Sequence, residues 1–396
     1  MNKVKAFLIP EECSLQFSSD FVKLNTELFV PSKSIVGDYE GSKFEEIFTF
    51  AFLERTDFLR DTLKKLDSLL KVGGNLVIDY YTVGQLYSGG HYVRPLSFFL
   101  YELSLSLGKR FKLISKDQKD TITKFIFEKV SDGANVGGSI YSWSFGIVSD
   151  GKKDDRIFNI VRQIREFKIP NYEILICGPQ PKFDLGKDIV WLDDSDLYWD
   201  LRIPITAKKN RIIYNASYNN LVLLHDRISF SEDWYEKVKK YGNTFEILAN
   251  KVFDEETQSL RVQDWMHYER DFTDFLGIKA GALSYLEWNP TVYVDGGFII
   301  AKTSILKSID GYNESLHWGE AEDVDLSKRL YQAGYMTNID TNNIVFTQTH
   351  RHVGISINRK KKKFFYKLYN FIRFYLNTQK QKNKYLIDIN NLFKNN

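Results

Sequence analysis

Cysteine is nearly absent from the chain. Cys13 and Cys177 are the only two in 396 residues. They form no C-x-x-C spacing and no disulfide framework, which fits a reducing cytosol. Long apolar runs are missing as well, since no stretch approaches the roughly 20 residues a membrane helix needs. The opening MNKVKAFLIPEECS carries a basic residue and a short apolar run. That run is too short for a signal h-region, and Glu11-Glu12 follow at once. A strong charge of either sign is also lacking. The formal net charge is +3, so nothing global points to nucleic acid or to a strongly acidic partner. The expectation is a cytoplasmic protein.

What is present argues for well-packed domains. Hydrophobic residues make up 43% and aromatic residues 15% of the chain, well away from the composition of disorder. The length exceeds one ordinary core, so two domains and a tail are expected. The boundaries fall at 1–130, a linker at 131–140, a second domain at 141–356 and a tail at 357–396. The linker reads from the small, glycine-rich Ser131-Asp132-Gly133-Ala134-Asn135-Val136-Gly137-Gly138-Ser139.

The first segment reads as a small α/β unit. Val4–Ile9 and Ile47–Phe52 are apolar strands, Asp57–Leu70 is an amphipathic helix, and Val72-Gly73-Gly74 stops it before the strand Asn75–Tyr80. Leu96–Leu107 is a further helix, and Phe111–Ile114 with Thr123–Phe127 makes a closing hairpin. From Tyr141 strands alternate with helices, which signals a mostly parallel sheet. Its strands are Trp143–Val148, Tyr172–Cys177, Asp188–Leu192, Leu221–Leu224 and a Gly-Gly-broken Tyr293–Ile300. A helix carries Ile157, Ile160, Val161 and Ile164 on one face, and a short one spans Arg211–Ala216.

Four carboxylates, Glu320, Glu322, Asp323 and Asp325, fall within six residues, after Trp318-Gly319 and before a helical pattern that ends at Gly334. By itself this reads as acidic capping of a helix N-terminus, which the macrodipole favours.

Two resemblances give these stretches more meaning. FEEIFTFAFLERTDFLRDTLKKLDSLLKVGGNLVIDY resembles the second half of a class I S-adenosylmethionine-dependent methyltransferase. Those enzymes hold the cofactor on a glycine-rich loop after the first strand, whereas Pro10-Glu11-Glu12-Cys13-Ser14 contains no glycine. The unit is therefore expected to be methyltransferase-like in fold, with no S-adenosylmethionine bound and no methyl transfer. The region from Trp143 to Gly354 resembles the family 2-like GT-A glycosyltransferases. SFGIVSDGKKDDRIFNIVRQI, ITAKKNRIIYNASYNNLVLLHDR, VDGGFIIAKTSILKSIDGYNESL and WGEAEDVDLSKRLYQAGY carry that resemblance in the family's order. It implies an α/β fold with a Rossmann-like, mostly parallel sheet.

The resemblance also implies roles. Asp323 maps to the base that takes the acceptor's proton in an inverting transfer, with Glu322 beside it. Gly296, Gly297, Trp318 and Gly319 belong to the acceptor side, as does Glu320, whose place in Glu-Ala-Glu-Asp leaves the register open by one step. Asp325 is expected to cap the helix. Ser149, Asp150, Lys209, Asn210 and Asp226 are expected at the nucleotide sugar, although Lys208-Lys209 could equally be a solvated pair. Asp226 is the candidate ligand for Mn²⁺ or Mg²⁺, which neutralises a leaving diphosphate. The family usually has two aspartates flanking one residue there, and this chain has His225-Asp226-Arg227. His350 and His352 stand where some GT-A enzymes complete the metal site.

The expected function is sugar transfer from a UDP-, GDP- or dTDP-linked donor to a glycan or lipid-linked acceptor in surface polysaccharide or glycoconjugate synthesis. The alternative is a non-catalytic scaffold built from degenerate methyltransferase-like and transferase-like folds. The basic, amphipathic tail leaves two readings open: packing on the chain's own catalytic domain, or peripheral contact with the anionic inner face of a membrane. Nucleic acid is not an expected partner.

Overall fold

The computed structural model describes residues 5–11, 21–35, 39, 43–81, 95–132, 138–180, 184–198, 203–261, 264–269 and 279–348. All of them lie in one compact unit, Met1–Gln348. His350, His352 and the basic tail are outside the described residues. Among the described residues no helix is long and apolar enough to cross a membrane.

The N-terminal elements are β1 (Lys5–Leu8), β2 (Phe21–Lys23), β3 (Phe44–Phe50), α1 (Leu59–Leu69), β4 (Leu70–Tyr81), α2 (Leu96–Leu107), β5 (Phe111–Lys119) and β6 (Ile122–Lys129). They form a six-stranded sheet in the order β2-β1-β3-β4-β6-β5. The first four strands are parallel, and β6 runs antiparallel to both its neighbours. Its core joins Ile47, Leu76 and Ile78 of the strands to Leu63 and Leu66 of α1 and to Phe99 and Leu103 of α2. The glycine stop after α1 takes an unexpected form. Strand β4 begins directly at Leu70, and the glycines sit in an irregularity of the β3–β4 register. Gly73 has φ +81°, and a Cβ on Gly74 would lie 2.9 Å from the Glu45 carbonyl oxygen. Gly73 is needed for its backbone conformation and Gly74 for the close approach of the neighbouring strand.

The larger sheet contains β7 (Ser142–Val148), β8 (Asn171–Cys177), β9 (Ile189–Leu192), β10 (Asn220–His225), β11 (Ile228–Phe230), β12 (Ile247–Asp254) and β13 (Leu260–Arg261). After β14 (Met266–Glu269), β15 (Lys279–Ala282) and β16 (Val292–Tyr293), which pair in a small sheet of their own, it is completed by β17 (Phe298–Lys302) and β18 (Thr337–Thr347). The order is β11-β18-β12-β17-β10-β7-β8-β9. Strands β10, β7, β8 and β9 are parallel, and β17 is antiparallel to β10 and β12. Helices α3 (Asp154–Glu166) and α5 (Trp234–Tyr241) cover one face. Helices α4 (Ile205–Asn215), α6 (Thr303–Ser308) and α7 (Glu322–Gln332) cover the other. Strand β10 shows why the sheet is central. Val222 and Leu224 enter the first core and Leu221 and Leu223 the second, so both faces are buried. The α/β class expected from the sequence is the class the chain adopts.

Two expectations change. Helix α4 starts at Ile205, six residues before the expected Arg211, because Pro204 sits at its N-cap and proline is tolerated at a helix start. Lys208 and Lys209 are therefore helical and each 1% exposed, and they are not a solvated pair. The expected strand Tyr293–Ile300 divides into β16 and β17, with Asp295-Gly296-Gly297 in the gap.

One buried acid in the N-terminal unit has a consequence for stability. Glu54 is 2% exposed and accepts the Tyr81 N–H at 2.6 Å. Burial raises its pKa from 4.5 to about 7. A carboxyl raised in the fold favours the folded state while protonated, and the folded state loses that advantage as pH rises from about 4.5 to about 7. The difference is on the order of 3 kcal/mol at most. Glu54→Gln keeps an acceptor for Tyr81 and removes the titration. Urea unfolding at pH 5 and pH 8 is expected to show the variant more stable than the parent at pH 8 and close to it at pH 5.

Candidate active site

The antiparallel entry of β17 decides where the functional side chains meet. Its pairing with β10 puts Phe298 beside Leu224, so the Asp295-Gly296-Gly297 segment reaches the carboxyl end of β10. There the His225 N–H donates to the Gly297 carbonyl at 3.0 Å. A Cβ on Gly297 would fall 2.7 Å from the Arg227 guanidinium, and one on Gly296 would fall 3.1 Å from Lys209 Nζ and 3.3 Å from Asp323 Cβ. These two glycines leave room for the side chains of three other elements.

Helix α7 brings the carboxylates. Its N-cap, Ala321, has a left-handed φ of +62°, an uncommon conformation for alanine. It turns the chain so that Glu322 and Asp323 face the glycine pair. Asp323 Oδ2 accepts the Gly296 N–H at 3.2 Å, and Oδ1 accepts the Val324 N–H at 2.9 Å. Burial, and then the charges of Glu322 and Asp295, push the Asp323 pKa up to about 6, while Lys209 and the Gly296 N–H oppose the rise. Lys209 lies 4.0 Å from Glu322 Oε1 and 4.5 Å above the Tyr312 ring. Its ammonium has no hydrogen-bond partner among the described residues. Burial holds that ammonium below the usual lysine range, against the pull of Glu322, Asp323 and Asp295. Asp295 belongs to this cluster and was not singled out from the sequence. The only sign was its position directly before the Gly-Gly pair.

A second group adjoins the first at the ends of β7 and β10. Asp226 Oδ2 accepts the Ser149 hydroxyl at 3.0 Å and the Asp150 N–H at 3.4 Å, and Oδ1 lies 3.5 Å from Lys153 Nζ. Lys208, one residue before Lys209, donates to the Ser149 carbonyl at 2.8 Å and pairs with Asp194 at 2.5 Å. Consecutive lysines of α4 thus serve the two groups separately. Ser149, Asp150 and Asp226 come together as a loop-end cluster, and Lys153 is an addition to it.

Other expected site residues sit elsewhere. Asn210 holds the loop before Trp318: its amide donates to the Tyr312 carbonyl and to Glu314, both at 2.8 Å, and accepts the Tyr312 N–H at 2.7 Å. Glu320 accepts the His317 N–H at 2.9 Å and so closes the 317–320 turn. Glu322 and Asp323 are the acids that face the glycines. Asp325 pairs with Arg329 at 2.9 Å in place of the expected capping role. Trp318, 49% exposed, and Gly319 form the exposed tip of the 317–320 turn, which the Glu320 N–H also closes by donating to the His317 carbonyl at 3.0 Å. As for a metal, Asp226 is the only expected ligand within the described residues, and it is engaged by Ser149 and Lys153. No group of three or more His, Cys, Asp or Glu among the described residues is placed to hold an ion. His350 and His352, the other two expected ligands, lie outside the described residues.

The site so defined is a cluster of carboxylates and lysines at the carboxyl edge of a parallel-rich α/β sheet, the edge at which open α/β folds bind ligands. Comparison with models of protein families and with curated proteins gives no match. Among solved structures the chain is similar to GalNAc-T7 with UDP, GalNAc and Mn²⁺, at 13% identity over 52% of this chain and 43% of that one, with TM-score 0.38. It is also similar to a mannosyltransferase from Pyrobaculum calidifontis in complex with GDP-Man and Mn²⁺, at 12% identity, 53% and 58% coverage and TM-score 0.37. A third is S. aureus TarS 1-349, at 12% identity, 52% and 60% coverage and TM-score 0.36. The match spans less than two thirds of each of those chains, and similarity this distant identifies no activity.

The charge balance of the cluster can be measured directly. Lys209→Met removes the cation that opposes the rise of Asp323. Carboxyl ¹³C titration, with Asp323→Asn to assign the signal, is expected to move the Asp323 midpoint from about 6 upward by on the order of one unit. An unchanged midpoint would mean that Lys209 does not sense Asp323.

Proposed function

We propose that the chain is a glycosyltransferase, moving a sugar from a nucleotide-diphosphate sugar to a hydroxyl of a glycan or lipid-linked acceptor with inversion, in surface polysaccharide or glycoconjugate synthesis. The observation that carries the reading is Asp323. It is a half-buried carboxylate with a pKa raised to about 6, bonded to Gly296 N–H and flanked by Lys209. A base with a pKa just below neutral is ionised in the cell and still accepts a proton readily as the transition state forms.

In this reading Asp323 takes the proton of the acceptor hydroxyl as the oxygen bonds to the anomeric carbon. The bond from that carbon to the phosphate oxygen breaks, and the nucleoside diphosphate leaves with its electron pair. Lys153, beside Asp226, and Arg227, beside Gly297, would neutralise the departing diphosphate. A divalent ion, when bound, would supply further neutralisation there. Trp318 offers an apolar face to the acceptor sugar, and Gly319 supplies the φ of +79° that the turn requires. The strand order β1-β3-β4-β6-β5, with β6 antiparallel, supports a methyltransferase-like N-terminal unit, one that acts without S-adenosylmethionine. A cytoplasmic location, with the tail meeting the inner face of a membrane, belongs to the same reading.

The test is hydrolysis and transfer with a panel of UDP-, GDP- and dTDP-sugars, with and without Mn²⁺ or Mg²⁺. Asp323→Asn is expected to lower kcat by roughly 10²–10⁴-fold with circular dichroism unchanged. The wild-type rate is expected to fall as pH drops through about 6, because the protonated carboxyl can no longer act as a base. If the wild-type protein hydrolyses none of the panel, the scaffold alternative takes its place.

A further inference from the structure

We propose that the N-terminal α/β half serves as a positioning element for α7: the buried Arg60–Glu102 pair, with Tyr331, holds the carboxyl end of that helix and so sets where Glu322 and Asp323 stand against Gly296 and Lys209. The inference rests on the reading of Asp323 as the base. Arg60 and Glu102 belong to α1 and α2, and their side chains are 0% and 2% exposed. Arg60 Nε and Nη2 donate to the two Glu102 oxygens at 2.8 and 3.0 Å. Its Nη1 donates to the carbonyls of Tyr331 at 2.7 Å and Tyr335 at 3.3 Å. The guanidinium lies 4.0 Å above the Tyr331 ring, and the Tyr331 hydroxyl donates to Glu102 at 3.0 Å. Gly334, at φ +90°, comes so close to α2 that a Cβ there would lie 2.6 Å from the Leu105 carbonyl oxygen.

A buried ion pair is a weak source of stability, because desolvating two charges offsets most of their attraction. What this pair provides is direction. The planar guanidinium fixes Glu102 in a bidentate geometry and caps the helix carbonyls, where a cation also suits the macrodipole. The chain just after α7 is held from the same side: Glu246 accepts the Met336 N–H at 2.6 Å and Lys64 of α1 at 2.7 Å, and Asn338 donates to Asp61 of α1 at 2.9 Å. Helix α7 is a rod of about 16 Å. A tilt of a few degrees at its held end would move the Asp323 end by about 1 Å, a displacement that costs on the order of 10²-fold in rate.

The test uses the full chain with the double substitution Arg60→Met/Glu102→Leu, which removes both buried charges together, and Tyr331→Phe, which removes one hydrogen bond. The readout is amide hydrogen exchange at Gly296, whose N–H is bonded to Asp323 and lies at the far end of α7. The double variant is expected to exchange there at least tenfold faster than wild type, with its denaturation midpoint close to the parent's, and Tyr331→Phe is expected to show a smaller rise at the same amide. Faster exchange confined to Ala333–Tyr335, with Gly296 at the wild-type rate, would reduce the pair to a local structural role and overturn the proposal. Tyr331→Phe decides the matter if the double variant does not fold. Exchange needs no substrate, so a protein without transferase activity would sink the base reading while the clamp is judged separately. Where wild type hydrolyses a sugar nucleotide, the double variant is expected to lose kcat with KM little changed.

Discussion

Strand β17 runs against its two neighbours, and the site depends on that reversal. Had it been parallel to β10, its preceding loop would lie at the opposite edge of the sheet. Because it is antiparallel, Asp295-Gly296-Gly297 arrives at the edge where β7 and β10 end, beside Ser149 and Asp226. The two glycines then leave the volume into which Arg227, Lys209 and Asp323 project. Sheet polarity, set by backbone hydrogen bonding and burial of both faces, thus converts separate motifs into one cluster.

Inside that cluster, burial does most of the electrostatic work. Asp323 is lifted to about 6 chiefly by partial loss of solvation, and the fully buried Lys209 is lowered by the same cause. Each then stabilises the charged form of the other. Two carboxylates alone would drive one another toward neutrality, and the ammonium beside them limits that rise. A short helix bearing an acid at its first turn is common. An acid at a helix start that also faces a buried lysine and a glycine backbone N–H has chemistry available to it.

The two sheets keep distinct hydrophobic cores but are joined through polar contacts around α7 and β18. Those contacts are directional: an arginine fork, a helix-end carbonyl pair, an asparagine to a buried aspartate. Apolar packing alone would tolerate sliding, whereas such bonds define one register between neighbours.

Strands and amphipathic helices were legible in the sequence wherever a period was strong. Leu96–Leu107 forms the helix expected of it, and Trp143–Val148 and Tyr172–Cys177 differ from the observed strands by one residue at one end. The acidic stretch before α7 and the Gly-Gly pair announced themselves through composition, as did the lysines at 208 and 209. Local pattern could not say which way a side chain turns. The left-handed Ala321 aims Glu322 and Asp323 inward while Glu320 closes a turn. The early start of α4 buries Lys208 and Lys209, which looked solvated. Asn210 and Asp325, polar residues beside a motif, serve their own neighbours. Asp295 had only its place before the Gly-Gly pair to mark it, and Arg60 carried no local signal, because their partners lie far away in sequence. Sequence by itself determined which residues form strands, helices and turns, since those preferences act over a few neighbours. Only the tertiary structure decided which charges share a buried space, because desolvation and pairing depend on distant elements meeting.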